Sequence, residues 1–263
     1  MIPMNDVGNE VMQSVSGFYD ALAPEYDSMT GFQKRFVHET PFIRLLVERY
    51  KIRSAVDAGC GTGFHALLLA QLGVQVTAID VSAEMIHEVP KHAAELGVCI
   101  TTVQADFKEL KRIKGLKVDA VFTMGNSLAH LLSEEDLQLT LKSFESILNP
   151  GGILFIQNLN YDRILADKER LQSIKEVDEK TFVRFYDYGG TLLTFNVLTI
   201  TRDDGISRQN LESVQLRPVS FVELSAMLSE LRFEGITSFG SIAMDEYSPA
   251  KSKDLIVLAR KKA

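Results

Sequence analysis

Short apolar segments alternate with amphipathic segments through the middle of this chain. The apolar segments have the length and β-branched content of buried strands, and the segments between them repeat apolar residues at helical spacing. Because most predicted strands are followed by a helix, we expect a doubly wound, mostly parallel sheet with right-handed crossovers. The predicted strands are 54–58, 75–79, 99–104, 117–123 and 152–158, and the predicted helices are 63–72, 82–96 and 134–148.

Residues 11–50 precede this alternation and are predicted to be mostly helical. Breaks are expected near Pro24 and Pro41, because proline has no amide hydrogen for the interior of a helix. Pro90 is expected to kink or split the helix predicted over 82–96 for the same reason.

The pattern changes to paired strands after residue 158. Residues 160–170 are predicted to be helical, and the turn sequences Tyr188-Gly189-Gly190 and Asp203-Asp204-Gly205 then separate three predicted strands. We expect an antiparallel insertion here, after which the core sheet is completed to seven strands. The inserted strands are predicted at 180–187, 191–201 and 208–217, followed by a helix at 219–231 and strands at 233–240 and 254–260.

This organisation divides the chain into three parts. Residues 1–159 are expected to form an N-terminal helical segment and the ligand-binding core, and residues 160–217 an antiparallel lid over the substrate. Residues 218–263 are expected to complete the core.

Composition narrows the class of protein. The chain has 263 residues, of which 46% are hydrophobic, and this is enough for one α/β domain with a small addition. The net charge of −7 disfavours nucleic acid as a partner. Two cysteines without metal-ligand spacing, Cys60 and Cys99, suit a reducing cytoplasm. The sequence shows no signal-peptide pattern and no apolar run long enough to span a membrane, so a cytoplasmic location is expected.

The segment from Val56 to Gly63, which reads V-D-A-G-C-G-T-G, is the most informative in the chain. A predicted strand enters it, a predicted helix leaves it, and the next strand ends in Asp80. This layout is typical of a nucleotide-binding crossover, in which glycines let a ligand approach the backbone and the acid accepts hydrogen bonds from ribose hydroxyls. The alternative interpretation of Asp80 is an exposed carboxylate at a strand end.

The glycine spacing indicates the kind of ligand. A dinucleotide site usually has G-x-G-x-x-G, but here Gly59, Gly61 and Gly63 give G-x-G-x-G, and Phe64 stands where the third glycine would be. Asp57, just before the glycines, would repel a pyrophosphate and suit a cation. The segment resembles motif I of the class I S-adenosylmethionine (SAM) methyltransferases, whose cofactor has a sulfonium, an amino group and no phosphate.

The resemblance to class I methyltransferases implies a Rossmann-like fold and roles for particular residues. It implies that the three glycines approach the methionine part of SAM, with Asp57 facing it, that Asp80 binds the ribose, and that Asp106 and Phe107 hold the adenine. Asp106 is also a candidate N-cap for a short helix at 107–112, and the two roles are compatible. The implied cofactor-binding residues are Tyr19, Tyr26, Arg35, Asp57, Gly59, Gly61, Gly63, Asp80, Val81, Met85, Asp106, Phe107, Met124 and Leu128.

Three further segments, 125–131, 149–156 and 160–165, resemble a narrower group, glycine N-methyltransferase and its relatives that act on small amines. Residues 19–27 resemble a Tyr-Asp pattern common in small-molecule SAM enzymes, whose leading segment closes over the cofactor. The resemblance implies methyl transfer to a small amine or amino acid, with no metal ion, and implies His130, Tyr26 and Asn126 as catalytic residues. His130 alone would be interpreted as a structural histidine, and Arg35 as a surface charge.

Several questions stay open at this point. The acceptor pocket is expected among Tyr26, Asn126, His130, Asn158 and Asn160, with Arg184, Tyr186 and Arg217 from the lid, although each lid residue could equally lie on a solvated strand face. Oxygen- or carbon-directed methylation, a nicotinamide-dependent oxidoreductase and a non-catalytic SAM-binding protein are the alternative functions. The expected partner is a small-molecule acceptor. Whether the chain also forms a homo-oligomer is left open by the sequence.

Overall fold

The computed structural model describes residues 14–203 and 206–263. Within these residues, eleven strands form two separate sheets. In chain order they are β1 (Ser54–Ala58), β2 (Gln75–Asp80), β3 (Thr101–Gln104), β4 (Val118–Thr123), β5 (Leu148–Leu159), β6 (Leu171–Val177), β7 (Lys180–Gly189), β8 (Leu192–Asp203), β9 (Ile206–Leu216), β10 (Phe233–Phe239) and β11 (Asp254–Lys261).

Helices cover the sheets and join their strands. The α-helices are α1 (Val15–Thr30), α2 (Phe32–Tyr50), α3 (Phe64–Gln71), α4 (Ala83–Glu95), α5 (Glu134–Ile147), α6 (Tyr161–Asp167) and α7 (Phe221–Glu230). Two short 3-10 helices lie at Phe107–Arg112 and Ser127–His130.

The larger sheet has seven strands in the order β10-β11-β5-β4-β1-β2-β3. Only β11 is antiparallel to its neighbours, and the five earlier strands are mutually parallel. The predicted doubly wound, mostly parallel seven-stranded sheet is therefore confirmed. The order reverses between β1 and β4, and the carboxyl ends of strands at such a switch point form a ligand-binding crevice.

Alternate residues of the central strands face opposite sides, so the sheet has a core on each face. Val56 and Val121 pack on the side of α5 and α7. Ala55, Ala120 and Phe122 pack on the side of α2 and α3. Because both faces are covered by helices, most residues of the central strands are apolar, as expected for a parallel sheet.

The N-terminal helical region breaks at a different place from the one predicted. Pro24 and Pro41 lie inside α1 and α2, and Pro90 lies inside an uninterrupted α4. The break is at Gly31, whose φ of 77° is in the left-handed region that glycine adopts without strain, and whose amide donates to the Asp27 carbonyl. A proline removes one helical hydrogen bond, and a helix with a packed apolar face can continue through that loss.

The insertion after β5 is antiparallel, as predicted, but has four strands in the order β6-β7-β8-β9. The fourth strand is β6, whose Leu171–Val177 sequence is interrupted by Lys175 and Glu176 and gives little strand signal. Pairing with β7 supplies its hydrogen bonds. The preceding helix, α6, is also shorter than the predicted 160–170.

The bounds of the other predicted strands and helices agree with the structure within a few residues. Strand β3 begins at Thr101, so Cys99 lies outside the strand in which it was predicted. Both cysteines are free, with Cys60 buried and Cys99 exposed. No helix within residues 14–203 and 206–263 has the length and apolar character needed to cross a membrane.

Candidate functional site

The glycine turn between β1 and α3 is shaped by backbone angles that other residues rarely adopt. Gly59, Gly61 and Gly63 have φ values of 76°, 54° and 92°. A Cβ on Gly59 would lie 2.5 Å from the hydroxyl oxygen of Ser127, and a Cβ on Gly63 would lie 3.0 Å from Val89. The first glycine therefore lets the turn approach the loop after β4, and the third lets it approach α4.

Asp80 connects the glycine turn to the next turn of the sheet. Its Oδ2 accepts from the Gly61 amide at 2.8 Å, and its Oδ1 accepts from the Ser82 amide at 3.0 Å. Burial raises the pKa of this carboxyl, against the lowering effect of those two hydrogen bonds. Asp80 is thus a buried hydrogen-bonded carboxylate, and it lies on the wall of a cavity.

That cavity, here called the cofactor cavity, has a volume of about 210 Å³ above the carboxyl ends of β1, β2 and β4. It brings together ten of the cofactor-binding residues predicted from the sequence. They are Tyr19, Tyr26, Arg35, Gly59, Gly61, Asp80, Val81, Asp106, Phe107 and Met124.

Four predicted cofactor residues do not line this cavity. Met85 and Leu128 are fully buried in the hydrophobic core, and Gly63 packs against α4. Asp57 is also fully buried, where its Oδ2 accepts from the Ala66 amide at 2.9 Å. Burial raises the pKa of Asp57 to about 6. These residues lie behind the cavity wall, because the turn folds back over the end of β1.

Asp106 and Phe107 lie side by side on the cavity wall. Asp106 also caps the 3-10 helix that follows, since its Oδ1 accepts from the Lys108 amide at 2.9 Å. The N-cap role of Asp106 is therefore confirmed, and its contact with adenine stays a prediction. Lys108 and Asp136 also line the cavity and form an ion pair at 3.1 Å. Sequence reasoning missed this pair because Asp136 comes from α5, which is separated from motif I.

The aromatic pair Tyr19 and His130 joins α1 to the loop after β4. The Tyr19 hydroxyl and His130 Nε2 are hydrogen-bonded at 2.8 Å, and the rings meet edge to face. Burial lowers the pKa of His130 to about 4 and raises the pKa of Tyr19. His130 is therefore neutral near pH 7, and its buried Nδ1 has no hydrogen-bond partner among the described residues.

Two aspartates of α1 fasten this helix over the cofactor cavity. Oδ1 of Asp27 accepts from the Thr62 hydroxyl at 2.6 Å, and its Oδ2 lies 3.0 Å from His92 Nε2. Oδ1 of Asp20 accepts from the Ser82 hydroxyl at 2.6 Å. Through these contacts α1 is tied to both turns that Asp80 connects.

A second cavity of about 500 Å³, here called the acceptor-side cavity, lies between the core and the four-stranded sheet. Both cavities share a set of lining residues, here called the junction: Tyr19, Tyr26, Thr30, Arg35, Met124, Gly125 and His130. A group held in one cavity can therefore meet a group held in the other at the junction.

Arg35 at the junction belongs to an ionic cluster with Glu39 and His65. Its Nε donates to Glu39 at 2.8 Å, and its guanidinium lies 4.1 Å from the centroid of the Phe64 ring. His65 Nε2 is 3.0 Å from the other Glu39 oxygen. Burial alone would raise the pKa of Glu39, but the hydrogen bonds and charges of His65 and Arg35 lower it to about 2. The Arg35 side chain is 34% exposed, and its contact with the cofactor stays a prediction.

Only part of the acceptor pocket expected from the sequence is present. Arg184, Tyr186 and Asn126 line the acceptor-side cavity. The Asn126 amide donates to the Tyr161 hydroxyl at 2.7 Å, and its carbonyl oxygen accepts from the Leu159 amide at 3.0 Å. Because both halves of this side chain are engaged, Asn126 holds the loop in place.

Three other expected acceptor residues lie outside the acceptor-side cavity. Asn158 is fully buried, Asn160 caps α6, and Arg217 pairs with Glu223. Gln157, Asp254 and Glu39 line the cavity instead. The sequence did not predict them, because they come together only when β11 and α2, which are distant in sequence, pack beside β5. The described residues contain no group of three or more His, Cys, Asp or Glu placed to hold a metal ion.

Comparisons with known proteins agree with this geometry. Residues 55–152 match a family model described as a methyltransferase domain. The chain is 27% identical over 230 residues to a glycine/sarcosine N-methyltransferase of Aphanothece halophytica, covering 85% of this chain and 82% of that protein. It is 33% identical over 162 residues to a protein of the same name from Halorhodospira halochloris, covering 62% of this chain and 59% of that one.

Solved structures share the fold at lower sequence identity. An S-adenosylmethionine-dependent methyltransferase from Clostridium acetobutylicum has a TM-score of 0.79 at 16% identity, covering 93% of this chain and 99% of that one. DesVI of Streptomyces venezuelae has a TM-score of 0.75 at 20% identity, covering 92% and 98%. The fold and site therefore define a class I SAM-dependent methyltransferase. Within that class, the chain is similar to glycine/sarcosine N-methyltransferases.

The cofactor cavity fits SAM. Gly61 presents bare backbone to the cavity, where a Cβ would extend to within 3.6 Å of the Tyr26 ring. Asp80 offers a carboxylate for hydroxyl groups, and Asp106 with Phe107 offers an acceptor beside an aromatic face. When bound, SAM supplies an activated methyl group on a sulfonium.

We expect Asp80→Ala to weaken SAM binding by about 1.5–3 kcal/mol, because it removes charge-assisted hydrogen bonds to the ribose and frees the Gly61 amide. Asp80→Glu should weaken binding much less. Titration calorimetry on variants with native circular dichroism measures the effect. Ser82→Ala is the comparison variant, since it loses the α4 cap bond to the Met85 amide and the bond to Asp20, and so measures the loss of this support while the Asp80 carboxylate is kept. An unchanged dissociation constant for Asp80→Ala would restrict Asp80 to a structural role.

A second prediction concerns stability against pH. His130 takes up its proton near pH 4 when folded and near 6.5 when unfolded, so it destabilises the folded state as pH falls through that window. At about 1.36 kcal/mol per pKa unit, this loss is at most roughly 2 kcal/mol between about pH 7 and about pH 5. His130→Gln should reduce the measured loss in urea denaturation, while the exposed His38→Gln should not. Equal losses in all three proteins would contradict the lowered pKa.

Proposed function

We propose that this chain transfers the methyl group of SAM to the nitrogen of a small amine, such as an amino acid. The observation that carries the proposal is the junction, where the cofactor cavity meets a separate cavity beneath the four-stranded sheet. The relatives named glycine/sarcosine N-methyltransferase support an amine acceptor.

The residues at the junction account for the chemistry. Only an amine without its extra proton has the lone pair that attacks a methyl carbon, so the site must hold the neutral form. His130 is neutral near pH 7, and neither it nor the Tyr19 hydroxyl places a positive charge beside the amine. Holding the two reactants in line can contribute roughly 7–11 kcal/mol, so no dedicated base is required.

The proposed residue roles follow the geometry. His130 and Tyr26 contact the reacting groups at the junction, and Asn126 positions the loop that carries His130. The ten cofactor-binding residues on the wall of the cofactor cavity bind SAM. We propose that Asp57, Gly63, Met85 and Leu128 support that wall from behind.

We further propose that residues 160–217 act as the substrate lid, between a SAM-binding part at 1–159 and the rest of the core at 218–263. Arg184, Tyr186 and Phe195 of the four-stranded sheet line the acceptor-side cavity, which supports this division. The Arg184 guanidinium is a suitable partner for a carboxylate on the acceptor, because its planar fork donates two parallel hydrogen bonds.

The proposal is tested with SAM labelled on its methyl group and a panel of small amines, phenols and carboxylic acids. We expect label on amines, at a rate that rises with pH towards the pKa of each amine, since only the neutral form attacks. His130→Ala should reduce kcat more than it weakens SAM binding. If phenols or carboxylates are labelled and amines are not, the acceptor atom is oxygen and the proposed nitrogen acceptor is wrong. Calorimetric binding of NAD and not of SAM would contradict the class of cofactor.

We also propose a cytoplasmic enzyme that does not act on nucleic acid and forms a homo-oligomer. The net charge of −7 supports the exclusion of nucleic acid, and two free cysteines support a reducing compartment. The outer face of the four-stranded sheet supports self-association. One apolar residue from each strand forms a continuous cross-strand row there: Ile174, Val183, Leu198 and Leu211.

A two-fold axis through this row would bury the same apolar residues from both copies. Ile174 and Leu211, at the two ends of the row, are 59% and 47% exposed. We expect light scattering to give a dimer for the parent chain and a monomer for Ile174→Glu. Val222→Glu, which alters a 76% exposed residue on α7, should stay dimeric. A parent chain that is monomeric at tens of micromolar would contradict the proposed interface.

A further inference from the structure

The acceptor-side cavity contains a carboxylate without an ionic partner. Asp254 is the first residue of β11 and lines the cavity. Its Oδ1 accepts from the Gln157 amide at 2.9 Å, and it forms no salt bridge within the part of the chain that the structure describes. Burial raises the pKa of Asp254, the Gln157 hydrogen bond opposes this rise, and the charge of Glu39 adds to it. The charges of Lys253 and Arg163 lower the pKa of Asp254, but neither side chain forms a salt bridge with it, so no cation of the described residues is in direct contact with this carboxylate.

Gln157 fixes this carboxylate relative to the junction. Its amide nitrogen donates to Asp254, and its Oε1 accepts from the Gly125 amide at 2.6 Å. Gly125 is a junction residue, and Gln157 itself lines the acceptor-side cavity. A group bound to Asp254 would thus be held at a defined position from the reacting centre.

A cation without an ionic partner lies in the same cavity. The Arg184 Nε donates to the Ser173 hydroxyl at 2.7 Å, and no carboxylate of residues 14–203 or 206–263 pairs with its guanidinium. Arg184 is partly buried, and this burial lowers the pKa of its guanidinium. Arg184 belongs to the four-stranded sheet and Asp254 to the seven-stranded sheet, so the two charges come from different walls.

The cavity is large for the smallest amino acids. Its volume of about 500 Å³ falls within the roughly 300–1,000 Å³ that is usual for sites of drug-sized ligands. Glycine or sarcosine would occupy a small part of this space and would leave one of the two charges without a partner. A buried charge without a partner weakens binding, because its desolvation is not compensated.

From this pair of charges we infer that the acceptor carries two groups besides the methylated nitrogen: an anion that Arg184 binds, and a second cationic hydrogen-bond donor that Asp254 binds. This chemistry is that of a diamino acid and not of glycine. The inference rests on the proposed amine methylation and specifies its substrate class. Asp254 is a specificity-determining residue in this arrangement.

A matched substrate pair tests the inference. 2,4-Diaminobutyrate and 2-aminobutyrate share the carboxylate and one amine, and only the former has a second amine. We expect kcat/KM for the diamino acid to exceed that for 2-aminobutyrate, glycine and sarcosine by at least tenfold. Calorimetric titration into the complex with S-adenosylhomocysteine should give the same order of affinities without requiring turnover.

Variants assign the preference to Asp254. Asp254→Asn should lower the ratio of the two kcat/KM values at least tenfold, and Asp254→Glu should restore part of it. Asp178→Asn is the control, since Asp178 is exposed, outside both cavities, and in a left-handed conformation that asparagine tolerates. Its ratio should match that of the parent. Thermal unfolding and SAM affinity identify any variant that fails to fold, in which case Asp254→Ser replaces Asp254→Asn, with the same tenfold fall in the ratio expected.

The outcomes distinguish failure of the diamino-acid inference from failure of the proposed amine methylation. Equal kcat/KM for glycine and the diamino acid, or a preference that survives Asp254→Asn, overturns the inference and leaves amine methylation standing. SAM binding with methylation of oxygen and of no amine overturns the proposed function, and the inference with it.

Discussion

The carboxylate of Asp80 is the contact on which the cofactor side of the molecule depends. It joins the Gly61 amide of the first turn to the Ser82 amide of the second. Ser82 in turn caps α4 through the Met85 amide and donates its hydroxyl to Asp20 of α1. One buried acid at a strand end therefore fixes the position of two turns and of the helix that covers them. The cost of burying this charge is offset by the backbone amides that it satisfies.

The junction and the outer part of the acceptor-side cavity differ in their charged groups. Around the junction, burial keeps His130 neutral and both Tyr19 and Tyr26 protonated. Arg35 is the charged residue of the junction, and Glu39 pairs with it. Unpaired charges lie further out, on Arg184 and Asp254, where they can bind parts of the acceptor that do not react. A junction without an unpaired charge favours a neutral nucleophile, and the outer charges can hold its substituents.

The cofactor half could be predicted from the sequence because its signals are local. Strand, glycines, helix and acid follow one another within residues 54–80. The positions with positive φ in this turn are occupied by glycine, which is recognisable in the sequence. The break at Gly31 and the strand β6 were not predicted, because packing of α1 and pairing with β7 outweigh local propensity there. The acceptor half was predicted least well. Gln157, Asp254 and Glu39 meet only after β11 inserts beside β5 and α2 packs on the core.

The cofactor cavity and the acceptor-side cavity can change separately. Changes in the four-stranded sheet or at the start of β11 can alter the acceptor-side cavity without touching the Asp80 contacts, because the cavities share only the junction residues. The link between the halves is the hydrogen bond from Tyr19 to His130, which ties α1 over the cofactor to the loop that faces the acceptor. Asn126, whose φ is 73°, anchors that loop through side-chain hydrogen bonds to Tyr161 of α6 and to the Leu159 amide at the end of β5. Asparagine adopts this left-handed conformation more readily than most residues. These contacts hold the loop after β4 in place between the two cavities.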